Sequence, residues 1–341
     1  MPRVQTESVK TKISRPAGKS PRETAPQRKS ISMVRAKVFG GEQWLLNGFS
    51  TRKGGTSKVY GGNALNLGIT REDTKPAVEK NRELLQKRLR ASGWPLVHMH
   101  QVHSDIIHRV DAAGATRTGG SVEPGLRPEE MRYIAGNSAI TSREGKPLLV
   151  GDGLVTDAPG LLLAVKTADC MPIIIVDPKK RAVGVFHAGW RGTLNRIAEK
   201  GVGEMRRWFG SRPQDLKAAL GPSIRNCCYN VGEEVRDHFR SQFGYADELF
   251  REWQTYEDIH LKYPLLFLTM RAPGHSELPY RIFLDLAQAN RRQLLDAGLR
   301  EANIETVDAC TSCDTKRFFS HRREKGLTGR MMAVVGIRAQ G

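Results

Sequence analysis

Apolar residues recur along this chain with two different periods, and each period predicts a different element. Val78, Leu85 and Leu89 share one helical face behind Thr74 or Asp73, either able to cap, with Pro76 in the first turn and Gly93 as the stop. Leu194, Ile197, Ala198, Val202, Met205 and Phe209 form a second stripe at helical spacing, and Leu286, Ala289, Leu294 and Leu295 a third. Between them lie short β-branched or leucine-rich runs at 161–165, 173–176, 182–186 and 331–337. Continuous apolar runs of this length read as strands buried on both faces. Strands alternating with helices from Val34 onward predict an α/β fold, with sheets covered by helices. The glycine-rich, aperiodic segment 112–146 breaks the rhythm and is expected to be a surface insertion.

Charge changes the picture at the amino end. Of a net +18 over 341 residues, the first 32 contribute +6, with scattered proline and serine and no apolar period. Residues 1–32 are therefore expected to be a disordered basic tail ahead of one catalytic domain at 33–341. The tail has no apolar core of a secretory signal; an organelle transit peptide and an upstream start before Met33 both fit it. Five cysteines, an odd number, argue for a reducing compartment, and the cytoplasm is expected. Apolar runs such as 265–268 fall far short of the about 18 residues a membrane span needs. The basic balance attracts phosphates and nucleic acid, but basic residues are not interleaved with aromatics and no reader motif is present, so nucleic acid is not the expected partner.

Candidate chemistry lies at the ends of strand-like runs. Gln101-Val102-His103 follows one, Thr167-Ala168-Asp169-Cys170-Met171-Pro172 joins two, and His187-Ala188-Gly189-Trp190-Arg191-Gly192 separates a strand from a helix. Two nitrogens and one sulfur suit zinc, which takes three protein ligands and keeps a fourth position open in catalytic sites. Spacing alone leaves ordinary histidines and a buried structural cysteine open as alternatives. The remaining cysteines are poorer ligands: Cys227 and Cys228 are adjacent, and Cys310-x-x-Cys313 is a lone pair. A zinc ribbon wants two spaced pairs and is not expected.

Taken together, these strings resemble the laccase-domain-containing, multicopper-polyphenol-oxidase-like family, whose members are regarded as purine nucleoside phosphorylases with adenosine deaminase activity. The likeness extends through Phe49-Ser50-Thr51-Arg52, Asn81-Arg82, Asp152-Gly153-Leu154-Val155-Thr156 and Gly221-Pro222 to Phe318-Phe319-Ser320 and Thr328-Gly329-Arg330. It implies layered mixed β-sheets flanked by helices in an α/β/β/α sandwich, one zinc held by His103, Cys170 and His187, and adenosine, inosine, guanosine or methylthioadenosine with phosphate as substrates. The chain departs from the family at Ser104, where glycine is common, at Asn47, at His321 and in the long insertion.

Phosphorolysis needs an anion site, for which Arg52 and Arg191 are the candidates, because guanidinium forks match phosphate. Asp169, beside Cys170, is the candidate proton shuttle, with orientation of a ligand as its other role. A copper phenol oxidase is the rival enzyme. Conventional multicopper oxidases use repeated H-x-H pairs, whereas nine histidines here supply one, His98 and His100, although a single copper at the same trio stays open. Some relatives are associated with cell-wall editing, a further alternative. Oligomeric state is not legible.

Overall fold

The structure, a computed structural model, describes residues 31–111, 149–254 and 280–339. The insertion 112–146 and most of the basic tail lie outside the described residues, as does the apolar run 265–268.

Alternation along each strand builds the layers. One sheet runs in the order Met33–Val34, Leu45–Ser50, Met331–Ile337, Leu162–Thr167, Leu96–Val97, antiparallel except for its last pair. A second runs Ile304–Thr306, Lys217–Leu220, Met171–Asp177, Ala182–Ala188, Gly153–Thr156, Ile107–Arg109, parallel only at its two edges. Leu163 and Val165 face Ile174, Val176, Val183 and Val185 in an inner core between the sheets. Their neighbours Leu162 and Ala164 point the other way, against Leu85 and Leu89 of helix Lys75–Leu89. Ile173, Ile175 and Phe186 point outward from the second sheet, against helices Ile197–Phe209 and Leu286–Asp296. Period-2 strands with both faces apolar thus sit in two cores at once, giving the α/β/β/α sandwich. A small antiparallel sheet, Asn230–Val231, Tyr280–Leu284 and Phe250–Gln254, is hydrogen-bonded separately and packs Leu284 into the outer core of the second sheet.

Three boundaries differ from the sequence expectation. Thr74 caps the first helix as expected, accepting from the Ala77 amide, but the helix stops at Leu89 with Arg90 in the left-handed region (φ +57°), before Gly93 is reached. The second stripe is two helices, Trp190–Leu194 and Ile197–Phe209, broken at left-handed Arg196. The break is stabilised from outside, since Gln293 and Asn290 donate to the Thr193 carbonyl and hydroxyl, at 2.7 and 3.0 Å. Finally, the tail boundary moves: Ile31 is buried in the outer core, and the Ser32 carbonyl accepts from both the amide and hydroxyl of Thr51. A chain begun at Met33 would lose these ties. Among the described residues no helix is long and apolar enough to cross a membrane.

Phe186, fully buried one residue before His187, fills the space left by small residues on three elements. A Cβ on Gly201, in helix Ile197–Phe209, would meet its ring at 2.8 Å, and Gly153 and Gly184 are equally close. Gly201→Ala is therefore expected to lower the melting temperature. Overpacking costs about 1–3 kcal/mol, more than the about 1 kcal/mol that alanine returns in helix propensity. A melting temperature at or above the parent's would refute this tight packing.

Candidate active site

The register of the central hairpin brings two of the candidate donors together. Pro172 pairs with His187 and Met171 with Ala188, so Cys170, just before one strand, lies at the same end as His187 on the other. His103 reaches them from the loop after Leu96–Val97, with φ +62°. One donor atom from each of His103, Cys170 and His187 falls within 4.8 Å of the others, and the Cys170 sulfur is 3.8 Å from His103 Nε2. A side chain at Gly189 cannot coexist with this arrangement, since its Cβ would lie 2.9 Å from His103 Cδ2 and 3.1 Å from the Cys170 sulfur.

One fully buried carboxylate organises both histidines. Asp152 accepts from His187 Nδ1 at 2.7 Å through one oxygen. Through the other it accepts from the amides of Val102 and Ser104 and from the Ser104 hydroxyl, at 3.2, 2.6 and 2.7 Å. With Nδ1 donating to Asp152, Nε2 is the His187 nitrogen left for a ligand. Ser104, a departure from the family's glycine, adds a donor to Asp152; the left-handed residue is His103 itself. Burial pushes the Cys170 thiol up, but the two histidines beside it outweigh burial and bring it down to about 6. Burial likewise opposes the charged form of His187, and the Cys170 sulfur with Asp152 reverses this, raising it to about 9. The site thus favours a thiolate, the form in which cysteine binds metals.

The trio opens onto a cavity of about 690 Å³. Trp190 and Tyr229 line it, together with a group of cations: Arg82, Lys166, Arg330 and Arg191. None of these four forms an ion pair with a carboxylate among the described residues. Burial, then Arg82 and Arg330, bring the Lys166 ammonium down to about 8. Burial beside Lys166 and Arg82 also keeps His98 neutral, well below the ordinary histidine range.

Of the residues singled out from sequence, the trio converges and Arg191 reaches the cavity, exposed, its guanidinium stacked 4.3 Å from the Trp190 ring. Asp169 also lines the cavity, but both its oxygens are engaged, one by the Thr311 hydroxyl at 2.6 Å and one by the Arg322 amide at 2.7 Å. That suits orientation rather than proton transfer. Arg52 does not line the cavity. Its guanidinium donates to the carbonyls of Thr315, Phe318 and Tyr60, pairs with Glu324 at 2.9 Å and lies over the Phe319 ring. These structural bonds occupy the fork a phosphate would need. Asp152, Arg82, Lys166 and Arg330 carry no assigned role from sequence, although three of them stand inside quoted motifs; Lys166, a lone ammonium ending an apolar strand, was the available signal for the fourth. The structure also brings together a group not expected from sequence: the sulfurs of Cys227, Cys228, Cys310 and Cys313 all lie within 4.8 Å of one another.

Comparison with known proteins places these features in context. A family model described as multi-copper polyphenol oxidoreductase laccase matches residues 46–338. A purine nucleoside phosphorylase, YlmD of Geobacillus stearothermophilus, is 34% identical over 299 residues, covering 86% of this chain and 90% of that protein. An adenosine deaminase named RL5, from an unknown prokaryotic organism, is 38% identical over 173 residues, covering 50% of this chain and 56% of its own length. The crystal structure of YlmD from Geobacillus stearothermophilus matches with a TM-score of 0.67 at 33% identity, covering 89% of this chain and 94% of that one. Relatives with these names suggest an enzyme, and the family together with the His/Cys groups suggests metal binding.

Proposed function

The chain belongs to the multi-copper polyphenol oxidoreductase laccase family, and from that premise we propose that it is a zinc-dependent purine nucleoside phosphorylase with adenosine deaminase activity, acting in the cytoplasm. The observation that carries this reading is one cavity lined both by an N, N, S donor set and by four cations that form no close ion pair with a carboxylate among the described residues. The donors fit zinc: two imidazoles and a thiolate, one imidazole oriented by a buried carboxylate, with a fourth position left for substrate or water. Among the described residues the His/Cys groups are two, and neither offers the repeated histidine pairs of a multicopper centre.

Zinc bound at His103, Cys170 and His187 supplies Lewis-acid chemistry beside the nucleoside. The chain's own residues do the rest. Lys166, Arg82 and Arg330 attract and hold the phosphate that attacks the sugar, and Arg191 at the exposed side assists its capture. Tyr229, with Ile224, gives the purine ring an aromatic and apolar wall, while the Trp190 ring is stacked between Arg191 and His238. Burial, then the nearby Cys170 sulfur, push the Tyr229 hydroxyl up, so it stays neutral and offers the base a hydrogen bond rather than a proton. Asp169 holds Arg322 and the Thr311 segment in place behind Cys170.

Metal-replete protein incubated with adenosine is expected to give adenine and ribose 1-phosphate only when phosphate is present, and inosine without it. Chromatography of the products decides. If neither route operates, while copper-loaded protein oxidises phenols, the polyphenol oxidase reading takes its place.

A further inference from the structure

We propose that Cys227, Cys228, Cys310 and Cys313 form a second, structural zinc site that clamps one wall of the active-site cavity. The four sulfurs are mutually within 4.8 Å; Cys227 lies 3.7 Å from Cys228 and 3.6 Å from Cys313, and Cys228 lies 3.3 Å from Cys313. Zinc–sulfur bonds of about 2.3 Å in a tetrahedron place neighbouring sulfurs about 3.8 Å apart, so the cluster is close to the edge lengths of a tetrathiolate. A disulfide needs about 2.05 Å, and all four cysteines are free.

The backbone brings the two halves together across 82 residues of sequence, which is why their spacing conceals the site. Ser223 bridges Cys310, the Thr311 amide donates to the Ser223 carbonyl at 3.0 Å, and the Ser223 amide returns to Ala309 at 3.4 Å. Arg225 donates to the carbonyls of Val307 and Ala309, and its charge interacts with Cys227 and Cys310. Four thiolates around a dication carry net negative charge, and a cation at this position offsets it. Cys227 and Cys313 are exposed, which gives a metal ion access.

What the clamp holds is the cavity. Ile224 and Tyr229 come from one clamped segment, while His321 and Arg322 follow the other, and all four line the cavity. Asp169, next to Cys170, is bonded to both segments: its carbonyl accepts from the Ile224 amide at 2.8 Å and its carboxylate from Thr311 and Arg322. A metal at the four cysteines therefore braces the wall facing His103, Cys170 and His187, without being part of that trio.

Full-length protein purified under reducing conditions and analysed for metal is expected to hold two zinc ions per chain. Cys310→Ser with Cys313→Ser should retain one, and Cys170→Ala should retain the other. Because the double variant can fail to fold, wild-type protein reconstituted with cobalt provides a second readout, the intense visible absorption of a tetrahedral tetrathiolate, which Cys170→Ala leaves in place. A single zinc per chain lost with Cys170→Ala, or a cobalt spectrum free of tetrathiolate bands, overturns the proposal. So does a Cys310–Cys313 or Cys227–Cys228 disulfide in metal-free, active protein. These outcomes do not depend on nucleoside turnover, so they stand apart from the proposed function.

Discussion

Cys170→Ala is expected to abolish both phosphorolysis and deamination, lowering turnover by about 10³-fold or more, because loss of a metal's charge stabilisation is worth several kcal/mol. The fold should survive. Cys170 lies at a strand end, and neighbouring contacts of Phe186 and the inner core do not involve its sulfur. Circular dichroism and metal content on the same sample separate the cases: native secondary structure with one fewer zinc supports the trio as ligands, and undiminished zinc refutes it. Asp152→Asn should act in the same direction but less, by about 10–100-fold. An amide keeps only one acceptor oxygen, so the variant cannot satisfy both His187 and the 102–104 loop as the carboxylate does.

Lys166→Met should separate the two activities. If Lys166 holds the phosphate as proposed, removing this half-buried cation is expected to cost about 2–5 kcal/mol, roughly 30-fold to several thousand-fold in phosphorolysis. Inosine formation should fall far less, since water attack needs no phosphate. The variant should also melt no lower than the parent, because a half-buried ammonium beside Arg82 and Arg330 is held in place at an electrostatic cost that methionine removes. The same residue predicts a pH dependence. Lys166 is charged below about 8 and neutral above it, so the phosphate KM should climb as pH rises through that value and stay flat there in Lys166→Met. A parallel decline of both activities would mean that Lys166 holds the nucleoside or the fold and not the phosphate.

Sheets covered by helices were legible in the apolar runs and in the helical stripes that both outer cores draw on, whereas the α/β/β/α layering was expected only from the family resemblance. The trio was expected as a set only through the family resemblance, since spacing alone left ordinary histidines and a structural cysteine open; the structure brings its three donors together. Long-range closure was not legible. Arg52 reads as a phosphate ligand in a glycine-rich loop, and only the carbonyls of Thr315 and Phe318, more than 260 residues away, reveal that its donors are used. The four-cysteine cluster was hidden for the same reason, since a bridge between Ser223 and Cys310 makes neighbours of residues whose spacing resembles no ribbon. The break at Arg196 was invisible because the groups that stabilise it, on Asn290 and Gln293, belong to another helix.

Lys166 sits on a strand of the first sheet opposite Met332, and Arg330 lies just before that neighbouring strand, whereas His187 is on the central hairpin of the second sheet and Cys170 immediately precedes it. The separation between the cationic side of the cavity and the side carrying His103, Cys170 and His187 therefore follows the offset between two sheets, and the inner core of Leu163, Val165, Ile174, Val176, Val183 and Val185 lies between them. Under the proposed function, that core acts as a ruler for the nucleoside and phosphate. Changing the volume of a residue such as Val165 shifts one sheet against the other, so selectivity for nucleosides of different reach can be altered by substitutions that touch neither metal nor phosphate.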